Sequence, residues 1–157
     1  MSLCESEWPG GVVAHLAPSI IKTAQVVREV SGAPLIPSPV EAAHVRFENG
    51  TSRHAVGGVG TKRKSDATDL YLMNNADAAT LWLTAQTVPG VGGFGIYFDT
   101  IYGGKKRVLV HLDNRPDRLL WLCPSRNRAT EKRSYIYFRA ENPGPYLDLL
   151  SVELSKL

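Results

Sequence analysis

A chain of 157 residues with 43% hydrophobic and 21% charged side chains has the length and composition of one globular domain, which excludes a disordered or fibrous protein. A net charge of +3 and a pI near 8.9 permit attraction to an anionic polymer without requiring it, so charge alone selects no partner. Cys4 and Cys123 are too few for a disulfide framework and lack metal-pair spacing, which points to a reduced compartment, and no apolar run approaches the ~20 residues of a membrane span.

The first residues, MSLCESEWPGGVVAHLAPS, show no basic region followed by a sustained apolar run, so no secretory signal is expected there. Pro18-Ser19 opens a predicted helix over Ile20 to Ser31, with apolar residues at helical spacing and Gly32 as its stop. Pro34 to Pro37 predicts a short edge strand, because proline cannot donate to a sheet ladder. His15 and His44 lack a second ligand at fixed spacing and are expected to be structural or exposed.

The stretch from His44 to Leu72 holds most of the ionisable groups that could do chemistry. Val45-Arg46-Phe47 and Ala67 to Leu72 are β-prone, and Asn49-Gly50 is a turn signal. The loop between carries His54, Gly57-Gly58 and the cluster Lys62-Arg63-Lys64, for which a solvated loop or a partner contact is the leading reading. Asn74-Asn75 caps a helix from Ala76 to about Gln86, and Pro89 to Gly93 forms a glycine-rich loop without the Gly-Lys-Ser/Thr of a phosphate site. Phe94 to Asp99 and Lys106 to Asp113 form a hairpin around Gly103-Gly104. Alternation places Arg107, Leu109, His111 and Asp113 on one face and Val108, Val110 and Leu112 on the other. Pro116 to Trp121 continues as turn and strand, with Arg115 and Arg118 expected at the rim of the cleft, and Ser134 to Arg139 reads as another strand. The apolar tail Tyr146 to Leu157 is either an element docked on the core or a contact with a neighbouring subunit.

These landmarks, in order, resemble the M15 group of zinc peptidases, enzymes of peptidoglycan peptides found among bacterial wall enzymes and phage lysins. The family's metal motif runs Ser-x-His-x-x-Gly-x-Ala-x-Asp and is followed much later by His-x-Asp or His-x-His. Ala67 and Asp69 fit the end of the first motif and His111 with Asp113 the second; Arg46, Val56-Gly57-Gly58, Gly93 to Tyr97 and Trp121 match the usual surroundings. The resemblance implies an α+β domain of M15 (hedgehog/DD-peptidase-like) fold over residues 1–145, a small mainly antiparallel sheet with two packed helices, and an extension over residues 146–157. It also implies zinc held by Asp69, His111 and one more ligand, with Asp113 either orienting His111 or serving as base.

The third ligand has two threadings. Counted without gaps back from Asp69, the family's histidine falls on Lys62, an ammonium that repels zinc; this threading keeps Val56-Gly57-Gly58 in family order and is preferred. The alternative uses Ser52, His54 and Gly57 and needs eight extra residues before Ala67. The first predicts a non-catalytic phage protein, binding no zinc and using the peptidase fold as a virion or peptidoglycan-binding part. The second predicts an active zinc-dependent murein peptidase. Either way the expected partners are virion proteins, peptidoglycan or a second copy through the tail, and the expected location is the virion or the host cytoplasm before lysis. A position 108 acid, present in many relatives of this type, is valine here.

Overall fold

The computed structural model describes residues 3, 5–48, 51–57, 63–127 and 129–157. Among these residues the chain is α+β, with a six-stranded sheet and three α-helices. In chain order come α1 (Pro18–Ser31), β1 (Leu35–Pro37), β2 (Ala67–Leu72), α2 (Ala78–Ala85), β3 (Gly93–Tyr102), β4 (Lys105–Asp113), β5 (Leu119–Cys123), β6 (Ile136–Tyr137) and α3 (Gly144–Leu154). The sheet order is β1-β2-β4-β3-β5-β6, antiparallel throughout except where β3 runs parallel to β5.

Local chemistry explains most boundaries. Proline in the first turn of α1 gives up an N–H that no helical carbonyl could use. One face of α1, with Ile20, Ala24 and Val27, packs into the core. The Asn74 side chain accepts from the Ala76 N–H and opens a single 3-10 turn, so α2 begins at Ala78, two residues later than expected. The β3–β4 hairpin closes through Gly103 and Gly104 at φ 58° and 73°, the positive angles that a two-residue turn matched to strand twist needs.

The sheet has two unlike faces. Leu70, Leu72, Phe94, Ile96, Val108, Val110, Leu112, Leu120 and Leu122 are buried in one core cluster with the helical residues Ile20, Val27, Leu81 and Ala85. Alternation turns the remaining strand residues the other way, towards an open cleft. Burying the first face supplies the driving force for folding and leaves the second free for polar groups.

Several expectations need correction. Three α-helices form rather than two, because the apolar tail is helical from Gly144 and docks: Tyr146 and Leu150 are buried, and Trp82 Nε1 donates to Tyr146 Oη at 3.0 Å. Within Ser134 to Arg139, only Ile136–Tyr137 forms a strand, with Phe138 N–H adding one bond to the Leu120 carbonyl at 3.0 Å. Val45-Arg46-Phe47 is no strand; Arg46 makes one isolated bridge to Ala55, which sets the base of the loop carrying His54. The Asn49-Gly50 turn, Lys62 and Cys4 lie outside the described residues. No helix among the described residues is long and apolar enough to cross a membrane.

Candidate metal centre

The site is built on the register of four strands. Asp69 on β2 pairs with His111 on β4, His111 with Gly95 on β3, and Gly95 with Trp121 on β5, so these four positions form one rung across the cleft face. The next rung is Ala67, Asp113, Gly93 and Leu119. Two glycines make these rungs possible. A Cβ at Gly95 would lie 2.2 Å from the Trp121 ring, and a Cβ at Gly93 would lie 2.3 Å from the Asp113 carboxylate. Without them Trp121 could not lean over β3 to bring its ring within 5.0 Å of the His111 ring, and Asp113 could not be fully buried.

The loop ahead of β2 adds the remaining group. His54 is buried, and its Nε2 lies 3.2 Å from His111 Nδ1 and 3.6 Å from Asp69 Oδ1; His111 Nδ1 is 2.8 Å from the same Asp69 oxygen. The loop is held by Arg46 N–H donating to the His54 carbonyl at 2.8 Å, Ser65 Oγ donating to the Arg53 carbonyl at 3.2 Å, and an Arg53–Asp66 pair at 2.9 Å.

Behind His111, on the side away from Asp69, Nε2 meets Asp113 Oδ2 at 3.0 Å. Asp113 also accepts from Arg115 Nε at 2.8 Å and from the Arg115 backbone N–H at 3.0 Å, and a further Arg115 nitrogen closes on it. Asp113 sits behind the imidazole, fully buried and outside the cleft lining.

The charges follow from these contacts. Burial opposes a charge on His111, but hydrogen bonds to Asp113 and Asp69 outweigh it and raise its pKa to about 9. For Asp113 burial raises and the His111 and Arg115 hydrogen bonds lower, and the lowering wins by a wide margin. Asp69 shows the same contest, burial against the His111 hydrogen bond, with the carboxylate form favoured. His54 goes the other way: burial dominates the nearby Asp69 and pushes it down to about 4, so its imidazole is neutral. Its Nδ1 is buried without a hydrogen-bond partner.

This donor set fits a metal. One atom from each of His54, Asp69 and His111 lies within 4.8 Å of the others. Bonds of about 2.0–2.1 Å to a tetrahedral zinc put neighbouring ligand atoms about 3.3 Å apart. The three separations of 2.8, 3.2 and 3.6 Å straddle that spacing. Two imidazoles and one carboxylate suit zinc or a similar transition metal better than the all-oxygen shells of calcium and magnesium.

The cleft itself has a volume of about 570 Å³. Its described lining contains Arg46, Arg53, Arg115, Arg133 and the aromatic residues Tyr71, Tyr97, Trp121 and Tyr135, with Asp69 as the one carboxylate. Arg115 therefore lies where sequence placed it. Arg118 does not: it lines a separate cavity beside α1 and Pro89-Gly90 and donates to the Gln86 carbonyl. Val108 is buried in the core on the opposite sheet face from His111, so position 108 supplies nothing to the cleft. His44 is structural, with Nδ1 at 2.7 Å from Thr68 Oγ1 and Nε2 at 2.8 Å from the Ser38 carbonyl. Sequence reasoning missed Arg133 and Tyr135 as cleft residues: Arg133 directly precedes the run read as a strand, and Tyr135 lies within it.

Fold and site together define an α+β domain with a candidate metal centre on the open face of its sheet. Comparison with known proteins adds no family: no family model, curated protein or solved structure matches the chain.

Proposed function

We propose that the chain is a phage-type zinc peptidase of the M15 kind, acting on the peptides of peptidoglycan. The observation that supports this reading is the convergence of His54 Nε2, Asp69 Oδ1 and His111 Nδ1 around one point on the cleft floor. The threading through His54 then supplies a third ligand, whereas the non-catalytic reading rested on Lys62 taking that place.

Bound there, zinc would polarise a peptide carbonyl and lower the pKa of a water. The chain's own residues supply the rest. His54 offers a neutral imidazole without prior loss of a proton. His111 must release its Nδ1 proton to ligate, and Asp113 keeps the Nε2 proton and fixes the ring. The Arg115 pairing holds the Asp113 carboxylate ionised, so His111 stays strongly basic. Trp121 and Tyr97, joined by an Nε1–Oη hydrogen bond of 3.1 Å, form a wall against which a peptide can lie.

A second reading is favoured by one observation: the described cleft lining holds no carboxylate besides Asp69 to act as general base. It makes the chain a metal-bearing but non-catalytic virion or wall-binding component. One experiment separates the two. Purified protein is assayed for zinc and for release of new termini from peptidoglycan. The enzyme reading expects about one zinc per chain and turnover abolished in His54→Ala. Zinc with wall binding but no turnover supports the second reading, and absence of zinc overturns both.

A further inference from the structure

Four arginines line the cleft, and Arg46 donates from Nε to the Ala42 carbonyl. Arg53 is paired with Asp66 and Arg115 with Asp113. Asp99 is different. It accepts from Arg126 Nε at 2.7 Å and Arg133 Nε at 3.2 Å, so one fully buried carboxylate anchors two guanidinium groups. The cluster keeps one net positive charge.

Arg126 is directed away from the cleft, donating to the Glu131 carbonyl at 2.6 Å. Arg133 lines the cleft, its guanidinium carbon 5.7 Å from the centre of the Tyr97 ring. Tyr135 closes the same end, edge-on to Tyr97 at 6.1 Å. From His111 the aromatic wall thus runs through Trp121 and Tyr97 to a guanidinium that pairs with Asp99 through Nε, hydrogen-bonds Tyr135 and lies over the Tyr97 ring. A planar, pre-oriented guanidinium is suited to bidentate recognition of a carboxylate.

We infer that Arg133, held by Asp99 and Tyr97 at the end of the cleft, is a specificity residue that binds a carboxylate of the peptide substrate. This inference rests on the proposed peptidase reading for its substrate class. The carboxylate comes either from the end of the peptide or from an acidic side chain, and both have the chemistry that the guanidinium recognises.

The test measures binding of defined probes to zinc-supplemented and to chelator-treated protein. N-acetylated alanine dipeptides, as free acid and as C-terminal amide, in L and D forms, probe the terminal group. Amidated tripeptides with a central glutamate or glutamine probe the side chain. The acid member of at least one pair should bind about tenfold tighter in wild type, as expected for one charge-assisted hydrogen-bonded contact. Arg133→Gln should abolish that ratio, Arg133→Lys should retain part of it, and Lys132→Gln, which removes the same charge from the exposed neighbouring position, should leave it intact. No acid preference in wild type overturns the inference, as does a ratio that survives Arg133→Gln or is lost equally in Lys132→Gln. Should Arg133→Gln fail to fold, the wild-type ratio and its partial retention in Arg133→Lys carry the test. Zinc content is read separately, so failure of the metal reading and failure of the Arg133 assignment are distinguishable.

Discussion

The two walls of the cleft are made differently. The sheet wall sets Asp69, His111, Asp113 and Trp121 by strand register, and each is fixed by partners on both sides. The loop wall holds His54 through one isolated bridge, a few backbone hydrogen bonds and a half-exposed ion pair. Changes in the sheet wall should therefore damage folding and metal binding together, while changes in the loop wall should separate them.

The largest expected effect is in the sheet wall. Asp113→Ala strips Arg115 of its carboxylate partner and leaves the buried His111 paired with Asp69 alone, which costs about 3–5 kcal/mol. Zinc affinity should fall about 10–100-fold in whatever fraction folds, the usual loss when an orienting carboxylate is removed. Urea denaturation and zinc titration measure the two. A variant as stable as wild type would remove Asp113 from the centre of the sheet wall.

Gly95→Ala comes next. Its Cβ would overlap the Trp121 ring, so either β3 or the indole must move, at about 1–3 kcal/mol. Denaturant midpoints and the near-ultraviolet signal of Trp121 report it. An unchanged signal at full stability would show that the rung tolerates a side chain.

A third effect appears in metal-free protein as pH is varied. The folded pKa of His111, raised to about 9, exceeds its unfolded value near 6.5, so its contribution is fully present below about 6.5 and is lost as pH rises towards 9. Asp113 is depressed in the folded state, so its contribution is present above the ordinary aspartate value and is lost as pH falls through the acid range. His54, lowered to about 4, and His44, lowered by burial, are kept neutral in the folded state and cost stability as pH falls below their unfolded value near 6.5. Metal-free protein should therefore be most stable near about pH 6.5. Zinc binding should strengthen with pH over the range in which His111 releases its proton, because ligation competes with that proton. A flat stability profile from pH 6.5 to 9 would contradict the coupling.

The contrast between the walls also explains what the sequence revealed. Strand period two placed His111 and Asp113 on one face and Val108 on the other, and the six-residue run Ala67–Leu72 put Asp69 within reach of them. The Asn74 cap, the Gly103-Gly104 turn and the proline-bounded edge strand were equally local and equally legible. His54 was legible only as one of two threadings, because a loop carries no period that converts spacing into position, and counting residues back from Asp69 favoured Lys62. Arg133 and Arg126 reach Asp99 across 34 and 27 residues, a contact that no local pattern encodes. The tail was recognised as too apolar to be free, but the contacts that dock it, Tyr146 with Trp82 and Phe138, span the sequence and follow no local pattern.

The loop wall provides the smallest expected stability effect and the sharpest functional one. His54→Ala removes a neutral side chain whose Nδ1 has no partner, at about 1 kcal/mol. The direct measurement is zinc content by elemental analysis of folded wild type and folded His54→Ala, purified and equilibrated with zinc in parallel. About one zinc per chain is expected in wild type, and loss of that zinc in His54→Ala with the fold preserved. Equal zinc in both proteins, or none in either, would contradict that expectation.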